Sequence, residues 1–137
     1  MNRKQKDLLF GFQKETELKK IIENHFDCNF DYTDKYHLYD FINNDKKIMI
    51  ELKSRNNTYN KYPTTMIGMN KVKYGIDSDH TCYFLFNFTD GLYYYKLNDT
   101  TMTECNISKG GRKDRGQMEY NQYLYIPITL LKKINLK

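Results

Sequence analysis

Asp40-Phe41-Ile42-Asn43-Asn44-Asp45-Lys46-Lys47-Ile48-Met49-Ile50-Glu51-Leu52-Lys53 is the stretch on which the reading of this chain turns. Apolar and β-prone residues flank a cluster of turn formers, the pattern of two short strands joined by a tight turn at Asn43-Asn44-Asp45. Side chains alternate along a strand, so Ile48, Ile50 and Leu52 share one face while Met49, Glu51 and Lys53 share the other. A carboxylate and an ammonium therefore lie two residues apart on one face of an otherwise apolar strand. Asp40, near the end of the preceding strand, is expected to reach the same place across the hairpin. Together they form a candidate divalent-metal site with a lysine beside it.

Upstream, residues from about 3 to 25 read as an amphipathic helix. At ~100° per residue, Leu8, Gly11, Phe12, Leu18, Ile22 and Phe26 fall on one side, and Glu15 falls near the middle of that stripe. A carboxylate in a buried stripe requires a metal, a cation or a hydrogen bond to compensate it. The alternative is that Glu15 lies at the stripe's edge and reaches solvent. Asn29 to Thr33 is expected to be extended, with Tyr36 to Ile42 and Lys47 to Lys53 as the hairpin strands.

Downstream, Ser54 to Thr65 is polar and reads as a loop leaving the strand beside the candidate site. It carries Arg55, Lys61, Tyr59 and Tyr62, a mixture suited to phosphate contact and base stacking, though also found in ordinary exposed loops. Met66 to about Asp77 is expected to be a short helix with Lys71 and Lys73, candidate nucleic-acid-binding residues, away from its apolar side. Cys82 to Phe88 has the composition of a buried strand, and Asp90-Gly91 is a hairpin turn into a strand from Leu92 to Leu97. The polar segment from Asn98 to Tyr120 contains a glycine-rich basic loop, expected to close on a nucleic-acid backbone through Lys109, Arg112, Lys113 and Arg115, which lacks the Lys-Ser/Thr of a phosphate-binding P-loop. Tyr123 to Ile126 reads as a last strand, and Pro127 as the opening of a helix over 128–134. The order predicts one α/β (α+β) domain over residues 1–137, a mixed sheet covered by helices.

Composition narrows the partners. The chain has 137 residues, 39% of them hydrophobic, enough for one domain with a real core. Its net charge of +5 favours a polyanion such as nucleic acid, although a solvated lysine surface would give the same total. Abundant Lys, Asn and Tyr suggest an AT-rich genome. Cys28, Cys82 and Cys105 form no metal-ligand or disulfide pattern, which points to a reducing, cytoplasmic compartment. No apolar run approaches the ~20 residues that span a membrane. His25, His37 and His80 show no ligand spacing, and no nucleophile motif is present.

Phosphodiester hydrolysis requires a positioned water, neutralised phosphate charge and help for the leaving oxygen. A hard cation held by carboxylates supplies much of this. Asp40 and Glu51 are suitable ligands, with the main-chain carbonyl of Leu52 a natural third and Glu15 a further one, directly or through water. Lys53 is placed to hold or deprotonate water, or to neutralise the phosphate. An all-oxygen set favours Mg²⁺, with Mn²⁺ as substitute, over zinc.

Asp40, ten residues, then Glu51-Leu52-Lys53 resembles the D…E-x-K signature of the PD-(D/E)XK nuclease superfamily. The run Glu15-Thr16-Glu17-Leu18 resembles the first helix of archaeal Holliday-junction resolvases, where the first Glu of an E-x-E-L run belongs to the active site; the matching position is Glu15. The resemblance covers roughly residues 12–55. It implies a restriction-endonuclease-like core, divalent-metal dependence and cleavage of DNA; a viral or phage protein, acting in the cytoplasm or the host-cell interior, is a separate expectation. Tyr39 stands where the signature usually has proline, a position that varies widely. The segment from Asn60 to Gly68 does not resemble the resolvase counterpart, so the resemblance carries nuclease chemistry further than junction specificity. A homodimer is expected, since one active site faces two strands. The competing readings are a non-catalytic nucleic-acid-binding or assembly protein on the same fold, and a small structural domain whose Glu51–Lys53 pair is an exposed ion pair.

Overall fold

The strand Ile48–Ser54 lies inside the larger of two sheets, and its two faces divide the core. The computed structural model describes residues 3–109 and 122–135, with side chains described from Glu15 onward in the first helix. The elements are α1 (Arg3–Phe26), β1 (Asp31–Tyr32), β2 (Phe41–Asn43), β3 (Ile48–Ser54), β4 (Thr64–Gly68), α2 (Met69–Asp77), β5 (Thr81–Phe88) and β6 (Gly91–Lys96). They continue with α3 (Thr101–Glu104), β7 (Asn106–Lys109), β8 (Gln122–Pro127), a 3-10 turn (Ile128–Leu130) and β9 (Lys132–Lys133). Six strands form a mixed sheet in the order β1-β2-β3-β5-β6-β9, and three form a second sheet, β4-β8-β7. β3 and β5 run parallel, with Glu51 opposite Phe84 and Lys53 opposite Phe86; the other pairs are antiparallel. A parallel pair needs a crossover, and β4 and α2 supply it.

The alternation along β3 holds. Ile50 packs with Phe41, Leu85, Leu92 and the α1 residues Leu18 and Ile22. Met49 packs on the other face with Phe84, Phe86, the α2 residues Met69 and Val72, and Ile67, Leu124 and Ile126 of the small sheet. Each fully buried aliphatic or Phe side chain of these two layers contributes roughly 1.5–3 kcal/mol. Glu51 and Lys53 are thereby delivered to the α2 side of the sheet, with α1 on the other.

Several expected elements differ. The first hairpin strand is shorter than Tyr36 to Ile42, because Tyr36 and His37 are drawn into a turn by the carboxylate and carbonyl of Asp34. Thr64–Gly68 is a strand, not loop and helix, and α2 starts only at Met69. The β5–β6 turn is Thr89-Asp90, with Gly91 already paired to Phe88. After Pro127 the chain makes one 3-10 turn and then β9, not a helix. Within the polar segment after Asn98, α3 and β7 form; Arg112, Lys113 and Arg115 lie outside the described residues. No helix among the described residues is long and apolar enough to cross a membrane.

Gly75 sets how closely α2 approaches the sheet. A Cβ there would stand 2.6 Å from Tyr39 Oη and 2.8 Å from Leu97 Cδ2. Helix propensity alone would make Gly75→Ala stabilising by about 1 kcal/mol, but overpacking of this kind typically costs 1–3 kcal/mol. Net destabilisation is therefore expected, read as a lower midpoint in urea unfolding.

Candidate active site

Asp40 enters the site just before β2 begins. Its N–H donates to Ile50 O (2.9 Å), and its carbonyl accepts from Thr33 N (3.1 Å), so the main chain is tied on both sides. β2 does not extend far enough to pair with Leu52. The Leu52 N–H on that side is satisfied instead by Asp40 Oδ2, at 2.8 Å. N–H and C=O of one strand residue point the same way, so the Leu52 carbonyl also opens towards Asp40. Tyr39 anchors the approach: its ring is buried and stacks on Phe84, while its hydroxyl donates to Lys71 O at 2.8 Å.

Glu51 is 3% exposed, the only charged side chain among the buried residues described. Lys71 Nζ, arriving from the first turn of α2, stands 2.9 Å from Oε2, and Lys53 Nζ stands 3.7 Å from Oε1. The Lys71 contact is a charge contact without hydrogen-bond angles, which leaves Oε2 buried with no aligned donor. Burial is the largest influence on this carboxyl and raises its pKa. The two lysines draw it down, the Asp40 charge raises it again, and the outcome is about 7. Burial, together with the neighbouring Lys71, pushes the Lys53 ammonium below its ordinary value. A carboxyl and an amine are thus both brought closer to neutral pH, as proton-handling sites require.

The two lysines that flank Glu51 open on a cavity of ≈ 630 Å³ whose charged lining residues are Lys53, Arg55, Lys71, Lys73 and Lys109. No acidic side chain is among its described lining residues, so it presents a uniformly positive wall beside two carboxylates. Arg55 is fixed there: its guanidinium donates to Met66 O at 2.8 Å and lies 5.8 Å from the Phe86 ring.

Of the residues singled out in the sequence, Asp40, Glu51 and Lys53 come together, and Arg55, Lys71, Lys73 and Lys109 line one cavity. Lys61 lies elsewhere, exposed, with its ammonium 5.4 Å over the Tyr62 ring. Glu15 is exposed on α1 and so is not in that helix's buried stripe, where Leu18 and Ile22 stand. Among the described residues no group of three His, Cys, Asp or Glu is placed to hold a metal ion, so the acidic set here is Asp40 with Glu51. His37 contacts Tyr74 and the Tyr39 N–H, and His80 contacts Asp79 and Asn44, away from both carboxylates. Lys71 is the residue whose position the sequence reading did not find. Met69 and Val72 are in the expected helical register with Lys71 on another side, but the helix begins only after β4, with Gly68 as its cap and Met69, Val72 and Gly75 buried. Gly68 was the available signal.

No curated protein matches the chain. The sequence model of one family, described as "Phage putative PDDEXK endonuclease", matches residues 3–134. That match takes in Asp40, Glu51, Lys53 and Lys71 together with both sheets, and the mixed six-stranded sheet with its flanking helices is the core such a nuclease requires. The chain belongs to this family of phage endonucleases, within the PD-(D/E)XK superfamily.

Proposed function

We propose that this protein is a divalent-cation-dependent endonuclease that hydrolyses phosphodiester bonds of DNA, with Asp40, Glu51, Lys53 and Lys71 at its reaction centre. The observation that carries the reading is Glu51: a buried carboxylate, beside Asp40, held between two lysines that themselves line a cationic cavity. Its unaligned buried oxygen and the all-oxygen donor set suit a hard cation. Asp40, Glu51 and the Leu52 carbonyl would hold Mg²⁺ or Mn²⁺. When bound, such an ion neutralises phosphate charge and makes a coordinated water more acidic.

The protein's own groups account for the remaining work. Lys53, with its lowered pKa and its ammonium half-exposed towards the cavity, is suited to take a proton from the attacking water or return one to the leaving oxygen. Lys71 acts through Glu51 by keeping that carboxyl more ionised than burial alone would allow. Arg55, Lys73 and Lys109 would hold the flanking phosphates as point charges. Two copies would bring two such centres to two strands. Preference for branched DNA is the narrower form of the proposal.

Supercoiled plasmid and a four-way junction, each incubated with Mg²⁺, Mn²⁺ or EDTA, provide the direct test. Cleavage is expected with either metal and none in EDTA. Lys53→Ala should lower the rate by ~10²-fold or more, the usual size of a lost acid–base group. Lys71→Met should lower it ~10–100-fold, as for groups that orient a ligand. It should also move the pH–rate curve to higher pH, because Glu51 loses the cation that draws its pKa down. Uncut substrates in both metals would refute the proposal and leave a DNA-binding protein without catalysis, and a Lys53→Ala variant as fast as wild type would refute the assigned reaction centre.

A further inference from the structure

A second cavity, ≈ 400 Å³, adjoins the cationic one and differs from it in character. Its wall includes Asn57, Tyr59, Tyr62, Phe88 and Tyr125, and Arg55 and Met66 line both cavities as a shared partition. The volume is in the range of small-molecule sites. Tyr59 is a fixed wall: it stacks on Tyr93 with ring centroids 4.4 Å apart and planes 7° from parallel, and its N–H donates to Asp90 Oδ1 at 2.9 Å. Tyr62 is different. Its ring is 55% exposed, and among the described residues no other ring packs on it; Lys61 alone lies over it. An exposed aromatic ring beside an aromatic pocket is a large apolar area left in water.

We propose that this aromatic pocket receives an unpaired nucleobase of the strand whose phosphates lie in the adjoining cationic cavity, so that the protein engages single-stranded or locally unpaired nucleic acid in preference to regular duplex. The inference deepens the nuclease reading and takes the phosphate direction from it. A cationic groove alternating with rings is the arrangement that binds single strands, because every base has a face to stack while its phosphate meets lysine or arginine. Arg55 stands at the divide between the two, where the sugar–phosphate link would cross. Asn57 and Thr64 line the same pocket and can meet a base edge without demanding one base. In a duplex the base is stacked, and bringing it here requires flipping it out, an unfavourable step of a few kcal/mol that a nick, branch or single strand avoids.

Binding is measured in EDTA, where no cutting is expected, with one labelled oligonucleotide presented as a single strand or as a duplex. The single strand should bind at least tenfold more tightly. Tyr62→Ala should weaken single-strand binding ~5–100-fold, from the loss of one stacked base. It should leave duplex affinity and thermal midpoint unchanged, since Tyr62 is exposed. A strand carrying 5-iodouracil should cross-link on irradiation to Tyr59 or Tyr62, mapped by mass spectrometry. Equal affinity for strand and duplex, or a silent Tyr62→Ala with cross-links elsewhere, would overturn the pocket assignment. The two readings fail separately. A protein that cross-links at Tyr62 but never cuts in metal retains the pocket and loses the nuclease. One that cuts in metal but binds strand and duplex equally, with single-strand binding indifferent to Tyr62→Ala, does the reverse.

Discussion

Asp40→Asn and Glu51→Gln are each expected to reduce cleavage by on the order of 10³-fold, because a bound cation supplies several kcal/mol of charge stabilisation and each tenfold in rate is about 1.4 kcal/mol. Both variants should still fold. An asparagine oxygen can accept the Leu52 N–H that Asp40 Oδ2 accepts now. A glutamine fills the same buried volume as Glu51 and mimics the protonated form that burial already favours. Initial rates on an end-labelled substrate, with melting curves of the same preparations, separate the effects. A variant retaining a tenth of the wild-type rate would remove that residue from the reaction centre, and an unfolded one would show a structural carboxylate instead.

Stability should decline as pH rises through the range that titrates Glu51. Its carboxyl has an ordinary value of 4.5 and is raised to about 7 in the folded protein, mainly by burial. Between those values the folded state binds more protons than the unfolded state, so unfolding free energy falls with increasing pH. The stabilisation is fully present below pH 4.5 and is lost by about pH 7, a change of roughly 3 kcal/mol for this group. Urea unfolding at pH 5 and pH 7.5 should show most of that difference in wild type and a much smaller one in Glu51→Gln. Metal affinity should follow the opposite course. A cation needs the ionised carboxylate, so its binding releases a proton. Affinity for Mn²⁺ should rise by up to tenfold per pH unit below 7 and level off above it. A pH-independent affinity would separate Glu51 from the metal.

The reach of the sequence differed from element to element for physical reasons. The Asp40–Lys53 hairpin was legible because its information is local: turn formers at Asn43 to Asp45, and an alternation on β3 that a one-residue slip would invert. β5 was legible as a continuous apolar run, and α1 as a long periodic one. β4 was not, because Thr64 to Gly68 becomes a strand only through β8, about sixty residues on, where Thr65 meets Ile126 and Ile67 meets Leu124. β7 is exposed at every position and carries no pattern; it exists as a partner for β8. Glu15 shows the limit of a helical wheel, which ranks positions on one helix without knowing how far along it the sheet extends. The contact of Lys71 with Glu51 was hidden because it depends on how the β4–α2 crossover lies on the sheet, which no local pattern encodes.

Tyr39 makes the departure from the superfamily signature informative. Its hydroxyl reaches Lys71 O, and its N–H donates to His37 Nδ1 at 3.0 Å. Proline at this position would have neither group. The backbone beside the acidic hairpin is thus fastened directly to the helix that carries the second lysine, by one aromatic side chain. Restoring the commoner residue by consensus engineering would sever that link and let Lys71 drift from Glu51. The acidic hairpin and the helix that carries Lys71 thus depend on a tyrosine for their link, and a search keyed to the proline would pass over proteins built in the same way.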